Sequence, residues 1–173
     1  MVTVIAGKYR GHKLKQVKSD TVRPTSGRVK KSMFQILDPL TGKRVLDLYT
    51  GIGSLGIEAL SRGAEKVTLV EKSKMIFKTL QENTSHICNG DNYDVYCIDS
   101  ALFLKRDTNY YDIIIADPPY ENNNFFTLKE LIKPHLFQDG VFCMEMKKSP
   151  ILDNGVDVRN YGNTQVVFWR AEA

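Results

Sequence analysis

The sequence predicts an α/β protein with a doubly wound, mostly parallel open sheet and an antiparallel last strand. Three observations carry this. Short apolar or alternating runs at residues 44–48, 66–70, 93–98, 111–116 and 140–146 are interleaved with segments of helical period. That alternation is the pattern of stacked βαβ units. The first run passes through a glycine-rich turn directly into a helical segment. Two last runs, residues 156–159 and 164–170, flank Tyr161-Gly162-Asn163 and read as a closing hairpin.

A length of 173 residues with 42% hydrophobic content supports one core of ordinary domain size. Net charge is only +4, but it is unevenly spread. Before residue 45 stand Lys8, Arg10, Lys13, Lys15, Lys18, Arg23, Arg28, Lys30, Lys31, Lys43 and Arg44, against Asp20 and Asp38 alone. Such asymmetry suits a polyanionic partner, while a solvated basic face is the plainer alternative. The chain therefore divides into a basic front, residues 1–43, and a main domain, residues 44–173. Cys88, Cys97 and Cys143 are odd in number and lack metal-ligand spacing. They predict a reduced, cytoplasmic setting without disulfides or structural zinc. No apolar run reaches membrane-spanning length, and the apolar start at residues 1–6 is too short for a signal peptide core.

Taken in order, residues 2–6 read as a strand and Gly7-Lys8-Tyr9-Arg10-Gly11 as a turn, with residues 12–17 returning. This is a small basic hairpin with Tyr9 near its tip. Its cations can grip phosphates and Tyr9 can stack an unpaired base, or Tyr9 can simply pack on its own hairpin. After Arg23-Pro24, Thr25 or Ser26 can cap a helix. Its stripe is Val29, Met33, Phe34, Ile36 and Leu37, with Arg28, Lys30 and Lys31 off it, and Pro39 follows its end.

The strand at residues 44–48 runs into Tyr49-Thr50-Gly51-Ile52-Gly53-Ser54-Leu55-Gly56, then a helix over residues 57–62. Gly51, Gly53 and Gly56 spell a G-x-G-x-x-G pattern between strand and helix, the context of a nucleotide-type ligand. The next strand ends at Glu71, whose carboxylate can hold both hydroxyls of a ribose. A nicotinamide dinucleotide uses the same features. Against it, Asp47 stands at the end of the first strand, where a carboxylate would oppose a pyrophosphate. S-adenosylmethionine, with ammonium and sulfonium charge, suits Asp47 better.

Residues 73–85 read as a helix capped by Ser73, and residues 93–98 as the third strand. Asp99 then either accepts from an adenine amino group or caps a helix over residues 101–105. The β-branched run at residues 111–116 delivers Asp117-Pro118-Pro119-Tyr120 to a strand's carboxyl end, where open α/β sheets place ligands. The prolines stiffen the tetrapeptide. The Asp117 carboxylate and Pro118 carbonyl are then two fixed acceptors beside the Tyr120 ring. That suits a flat substrate bearing an exocyclic amino group, although a strand-ending turn would use similar residues. Asn122-Asn123-Asn124 form a polar loop, followed by a helix over residues 125–136 and a strand over residues 140–146.

Together these stretches resemble the RsmD-type methyltransferases, which methylate the N2 amino group of a guanine in 16S ribosomal RNA. The resemblance runs through residues 4–11, Arg23-Pro24-Thr25 with Arg28 and Phe34, residues 47–64, Val70-Glu71 and Asp117-Pro118-Pro119-Tyr120. It covers the chain nearly end to end. Lys31, Thr50 and Ile52 depart from the family pattern. The resemblance implies a class I S-adenosylmethionine-dependent, Rossmann-like fold. Asp47, Gly51 and Gly53 would line the methionine end, Glu71 the ribose and Asp99 the adenine, and Tyr49 would also bind the cofactor. Asp117, Pro118 and Tyr120 would be catalytic. Lys8, Tyr9, Arg10, Arg23 and Arg28 would meet the RNA, which is either free small-subunit RNA or the assembled small ribosomal subunit. No metal or membrane is implied, and a monomer is expected.

Other readings use the same residues. A methyltransferase for another planar amine or amide (DNA adenine, protein glutamine) shares the Pro-Pro-Tyr logic. The basic front disfavours a protein substrate and does not separate RNA from DNA. A nicotinamide-dependent oxidoreductase and a non-catalytic RNA-binding assembly protein are the remaining rivals.

Overall fold

The structure is a computed structural model and describes residues 1–17, 25–119 and 124–172. Its elements are α1 (Gly27–Leu37), β1 (Arg44–Leu48), α2 (Ser54–Ser61), β2 (Lys66–Val70), α3 (Lys74–Ile87), β3 (Tyr93–Tyr96), α4 (Ser100–Arg106), β4 (Tyr111–Ala116), α5 (Phe125–Ile132), β5 (Leu136–Lys147), β6 (Val156–Tyr161) and β7 (Thr164–Arg170). The strands form one sheet in the order β3-β2-β1-β4-β5-β7-β6. β1 to β5 are parallel to their neighbours, and β7 runs antiparallel between β5 and β6. The order reverses between β1 and β4, so a crevice opens beyond their carboxyl ends.

Each face of the sheet carries its own core. On one side Val29, Met33, Phe34, Leu55, Ile57 and Leu80 from α1, α2 and α3 pack on Val45, Val67, Leu69 and Ile115. On the other, Phe103, Leu104, Phe125, Leu128 and Ile132 from α4 and α5 pack on Leu46, Leu48, Ile114 and Phe142. Period-two alternation sends successive strand residues to opposite cores.

Several boundaries differ from the sequence expectation for local reasons. α2 starts three residues earlier, at Ser54, because Gly53 adopts φ 93° and opens the first turn. The helix expected over residues 125–136 stops at Ile132 and gives way to a 3-10 turn, Lys133–His135. Pro134 lacks the N–H needed to continue an α-helix. β5 consequently begins at Leu136 rather than residue 140.

The front hairpin is an arm held by a single bridge, Thr3 to Lys13, rather than two full strands. Val4 N donates to His12 O at 2.9 Å, and Leu14 N to Val2 O at 2.9 Å. Val2, Val4 and Leu14 are buried in the core shared with α1 to α3. The turn then docks on the end of α2. A Cβ at Gly7 would lie 1.8 Å from Ser61 O, so only glycine permits this approach. Lys8 N donates to Ser61 O at 2.9 Å, and Tyr9 N to Ser61 Oγ at 2.9 Å.

Lys30 corrects an expectation. It lies on the buried face of α1, only 2% exposed. Its Nζ donates to Thr3 O at 2.8 Å and Ser54 Oγ at 3.2 Å, and stands 3.4 Å from Glu58 Oε2. Burial lowers its pKa, and the Glu58 charge opposes that shift. Glu58 is 0% exposed. Besides Lys30 it accepts from Ile5 N at 2.8 Å, Ala6 N at 3.0 Å and Arg62 Nε at 2.9 Å.

Removing one partner of a buried ion network leaves the other charges uncompensated. Glu58→Ala is therefore expected to lower unfolding free energy by about 3–5 kcal/mol, and Glu58→Gln, which keeps an acceptor, by less. Urea denaturation of the three chains measures this, and a Glu58→Ala chain of unchanged stability would refute it.

Candidate active site

The carboxyl ends of β1, β2, β4 and β5 surround a cavity of about 690 Å³. Asp47 forms its floor at the end of β1. It is 1% exposed, and its Oδ2 accepts from Gly56 N at 2.8 Å and from the Thr50 hydroxyl. Its Oδ1 is buried with no hydrogen-bond partner among the described residues. Burial pushes the Asp47 pKa up to about 7; Thr50 and Gly56 pull it down, and the Asp117 and Glu71 charges add to the rise. A buried acceptor without a partner, on a residue that lines a cavity, suits a cationic or N–H-bearing ligand.

The glycine loop forms the adjoining wall. Gly51 has φ 59°, and a Cβ there would meet nothing within 4 Å, so its backbone faces open cavity. Gly53 precedes α2. At Gly56 a Cβ would meet Leu69 Cδ2 at 2.5 Å and Asp47 Oδ2 at 3.1 Å, so glycine is what lets α2 sit against β2. Tyr49 lines the cavity with φ 57°, a left-handed conformation costly for a side-chain-bearing residue. Burial raises its pKa, as does the Asp99 charge, and a hydrogen bond with Ser100 opposes this. Glu71 Oε2 accepts from Gly51 N at 3.1 Å and Oε1 from Ser73 N at 2.8 Å. The backbone thus orients that carboxylate at the β2 end.

At the other end, Asp117 follows β4 and accepts from Thr25 Oγ1 at 2.9 Å. Pro119 lines the cavity, and Pro118 is buried. Tyr120 and Arg23 lie outside the described residues. Asp99 is not part of the wall. Its Oδ1 caps α4, accepting from Ala101 N at 3.0 Å and Leu102 N at 3.1 Å, and it is Ser100 that lines the cavity. Arg28 is exposed and stands on the cavity wall. Arg10 is exposed away from it. Lys8 and Tyr9 are engaged by Asp91: Lys8 pairs with Oδ1, and the Tyr9 hydroxyl donates to Oδ2 at 2.7 Å.

Among the wall residues that sequence reasoning did not assign to the site are Thr25, Thr50, Glu145 and Tyr161. Thr25 stood out as a helix cap within a family-matching stretch and Thr50 as a loop residue departing from the family pattern, neither with a role in the site. Glu145 did leave a signal, since it is the one acid inside the apolar run Val141-Phe142-Cys143-Met144-Glu145-Met146. Tyr161 reaches the site because the β6–β7 turn folds over it, its hydroxyl meeting Ser32 Oγ of α1. Ile52, an apparent oddity of the glycine loop, is buried, and its carbonyl accepts from Asn83 Nδ2 at 3.0 Å.

A family model described as Conserved hypothetical protein 95 matches residues 2–170. The chain belongs to that family. Among its relatives, Ribosomal RNA small subunit methyltransferase D of Haemophilus influenzae is 40% identical over 126 residues. That match covers 70% of this chain and 65% of the relative, so it spans just under two thirds of the relative's length. The Escherichia coli protein yhhF has a solved structure with a TM-score of 0.85 at 26% identity, covering 99% of this chain and 98% of its own. The Thermus thermophilus 16S rRNA N2 G1207 methyltransferase, solved with AdoMet and guanosine, has a TM-score of 0.67 at 21% identity, over 90% of this chain and 45% of its own. Strand order and these likenesses make the fold that of the class I S-adenosylmethionine-dependent methyltransferases. Among the described residues, no helix is long and apolar enough to cross a membrane, and no three metal-ligating side chains cluster.

Asp47 has a measurable consequence for stability. Its carboxyl titrates at about 7 in the fold against an ordinary 3.8, so folding takes up a proton between those values. Stability from this group rises as pH falls through 7, and the cost of the buried charge is complete above it. Asp47→Asn is expected to stabilise the ligand-free chain by about 1–3 kcal/mol at pH 8, with the gain shrinking below pH 7 and nearly gone by pH 4. Thermal unfolding of both chains across that range tests the sign, and a gain that grew toward low pH would overturn it.

Proposed function

We propose that this protein transfers a methyl group from S-adenosylmethionine to the N2 amino group of a guanine in small-subunit ribosomal RNA. The observation that carries the proposal is the charge of the crevice. Asp47, Glu71, Asp117 and Glu145 all line one cavity, and the buried Asp47 Oδ1 has no hydrogen-bond partner among the described residues. A dinucleotide would bring a pyrophosphate against these acids. A cofactor bearing ammonium and sulfonium charge complements them. The relative's name supports ribosomal RNA as the substrate, and so does the basic front. Either free RNA or the small subunit fits this reading.

Asp47 and the Gly51–Gly53 loop would hold the methionine end, and Glu71 the ribose hydroxyls. When bound, the cofactor supplies an electrophilic methyl group. The chain's own task is to present the nucleophile. The N2 lone pair is delocalised into the guanine ring and reacts poorly unless oriented. The Asp117 carboxylate and the Pro118 carbonyl would accept the two N2 hydrogens, turning the lone pair toward the cofactor end of the cavity. Thr25 Oγ1, 2.9 Å from Asp117 Oδ2, fixes that carboxylate. Its negative charge favours the positive charge developing on nitrogen. Tyr120 would stack on the extruded base. Most of the acceleration comes from positioning.

Incubation with labelled S-adenosylmethionine and unmethylated small-subunit RNA or subunits, followed by nucleoside analysis, is expected to yield N2-methylguanosine. Methylated adenine from duplex DNA, with none from ribosomal material, would overturn the substrate. Asp117→Ala is expected to lower turnover by about 100-fold or more with cofactor affinity preserved. Arg28→Ala is expected to weaken RNA binding and reduce the salt slope of log K by about 1, measured by filter binding across a salt series.

A further inference from the structure

We infer that Glu145 determines the base this enzyme accepts: its carboxylate takes the N1–H of the target guanine while Asp117 takes the neighbouring N2 amino group. The inference rests on the methyltransferase reading above and adds a second recognition residue to it.

The argument begins with register. On adjacent parallel strands, Ala116 of β4 pairs with Met144 of β5. Both side chains belong to the core under α4 and α5. Ile115 and Cys143, one step earlier, belong to the opposite core. One step later the pleat returns the chain to that opposite face, at Asp117 and Glu145. Two carboxylates therefore leave neighbouring strands on the same face, about 4.8 Å apart at the backbone. Asp47 lies on that face too, paired with Ile115. All three acids line the cavity.

Glu145 is only 8% exposed. Thr164 and Tyr161 also line the cavity, and β5 lies two strands from β1, whose end leads into the glycine loop.

Base chemistry then decides what two adjacent acceptors can read. Guanine presents N1–H and the N2 amino group side by side, so two carboxylates meet two donors. Adenine and cytosine place a bare ring nitrogen beside the amino group. A carboxylate opposite that lone pair is repelled and left unsatisfied, a mismatch that costs far more than a missing contact. Asp117 alone would accept any of these amino groups. The Asp117–Glu145 pair selects guanine.

The test compares wild type, Glu145→Gln and Glu145→Leu in methyl transfer to unmethylated small-subunit RNA. Guanosine and 2,6-diaminopurine riboside serve as competitors. The diaminopurine keeps the 2-amino group but has a bare N1. Wild type is expected to bind guanosine at least ~10-fold more tightly than the diaminopurine. In Glu145→Gln the amide can turn an N–H toward a bare N1, and the preference is expected to shrink several-fold. Glu145→Leu is expected to lose the preference and about 10-fold or more in kcat/KM. Cofactor affinity, measured by calorimetry, is expected to stay within about twofold in both variants because Glu145 touches only the base. A competitor ratio in Glu145→Gln equal to wild type overturns the inference, as does failure of guanosine to compete. If wild type forms no N2-methylguanosine, the functional reading falls and this inference with it. If it does form and the ratio does not move, only the role of Glu145 falls.

Discussion

The carboxylate of Glu58 holds the two parts of this chain in one piece. It is fully buried in α2 and receives Ile5 N, Ala6 N, Arg62 Nε and the Lys30 ammonium. A buried acid with this many donors is satisfied, whereas the same acid with one partner missing would be a liability. The geometry has consequences in both directions. α2 is the helix that the glycine loop opens, and the front arm and α1 are what Glu58 grips. Fixing one to the other places Thr25 beside Asp117 and Arg28 on the cavity wall, so the front of the chain completes the crevice. Arg62 extends the network outward to Asp38 at 2.8 Å, which anchors the far end of α1 as well.

The crevice itself follows the opposite rule. Where Glu58 is saturated with donors, Asp47 Oδ1 has no partner among the described residues, and its pKa is raised to about 7, mainly by burial. That is an unstable arrangement in the ligand-free chain and a favourable one once a cation arrives. Structural acids and ligand-facing acids are thus separated by their donor counts. Glu71 is intermediate: both oxygens take backbone N–H groups, yet each carboxylate oxygen can accept again. It is oriented by the loop it helps shape, which suits a role in positioning hydroxyls.

Much of this was legible in the sequence. Alternating strands and helices predicted the sheet, the terminal hairpin predicted the reversed strand, and the singled-out residues Asp47, Gly51, Glu71 and Asp117 line one cavity. Lys30 was misread although its spacing was informative. It stands three, four and seven residues before Met33, Phe34 and Leu37, squarely on the buried stripe. Its charge suggested the surface, and only the partner on α2 reveals why it is inside. Tyr161 left no signal, and that of Glu145, a lone acid in an apolar run, did not say which site it serves. Their place in the site depends on β5 lying beside β4 and on the β6–β7 turn folding back, which are facts of sheet order. Asp99 carried two readings of equal standing, and the capping geometry accounts for the one the structure displays.

The docked tip of the front arm bears on how RNA would be met. Lys8 and Tyr9 read as RNA contacts, with packing on the hairpin as the alternative for Tyr9, and in the structure both meet Asp91. The two kinds of contact differ in strength. The Gly7 approach to Ser61 and the backbone bonds of Lys8 and Tyr9 fix the path of the chain. The Lys8–Asp91 pair has its lysine half exposed, and such pairs are worth only about 0–1 kcal/mol. A phosphate could exchange for Asp91 at little cost while the backbone stays put. On the proposed reading, the arm is then a preorganised support whose cations are loosely parked. Ordering it has been accomplished in folding, so docking RNA need not supply that entropy again.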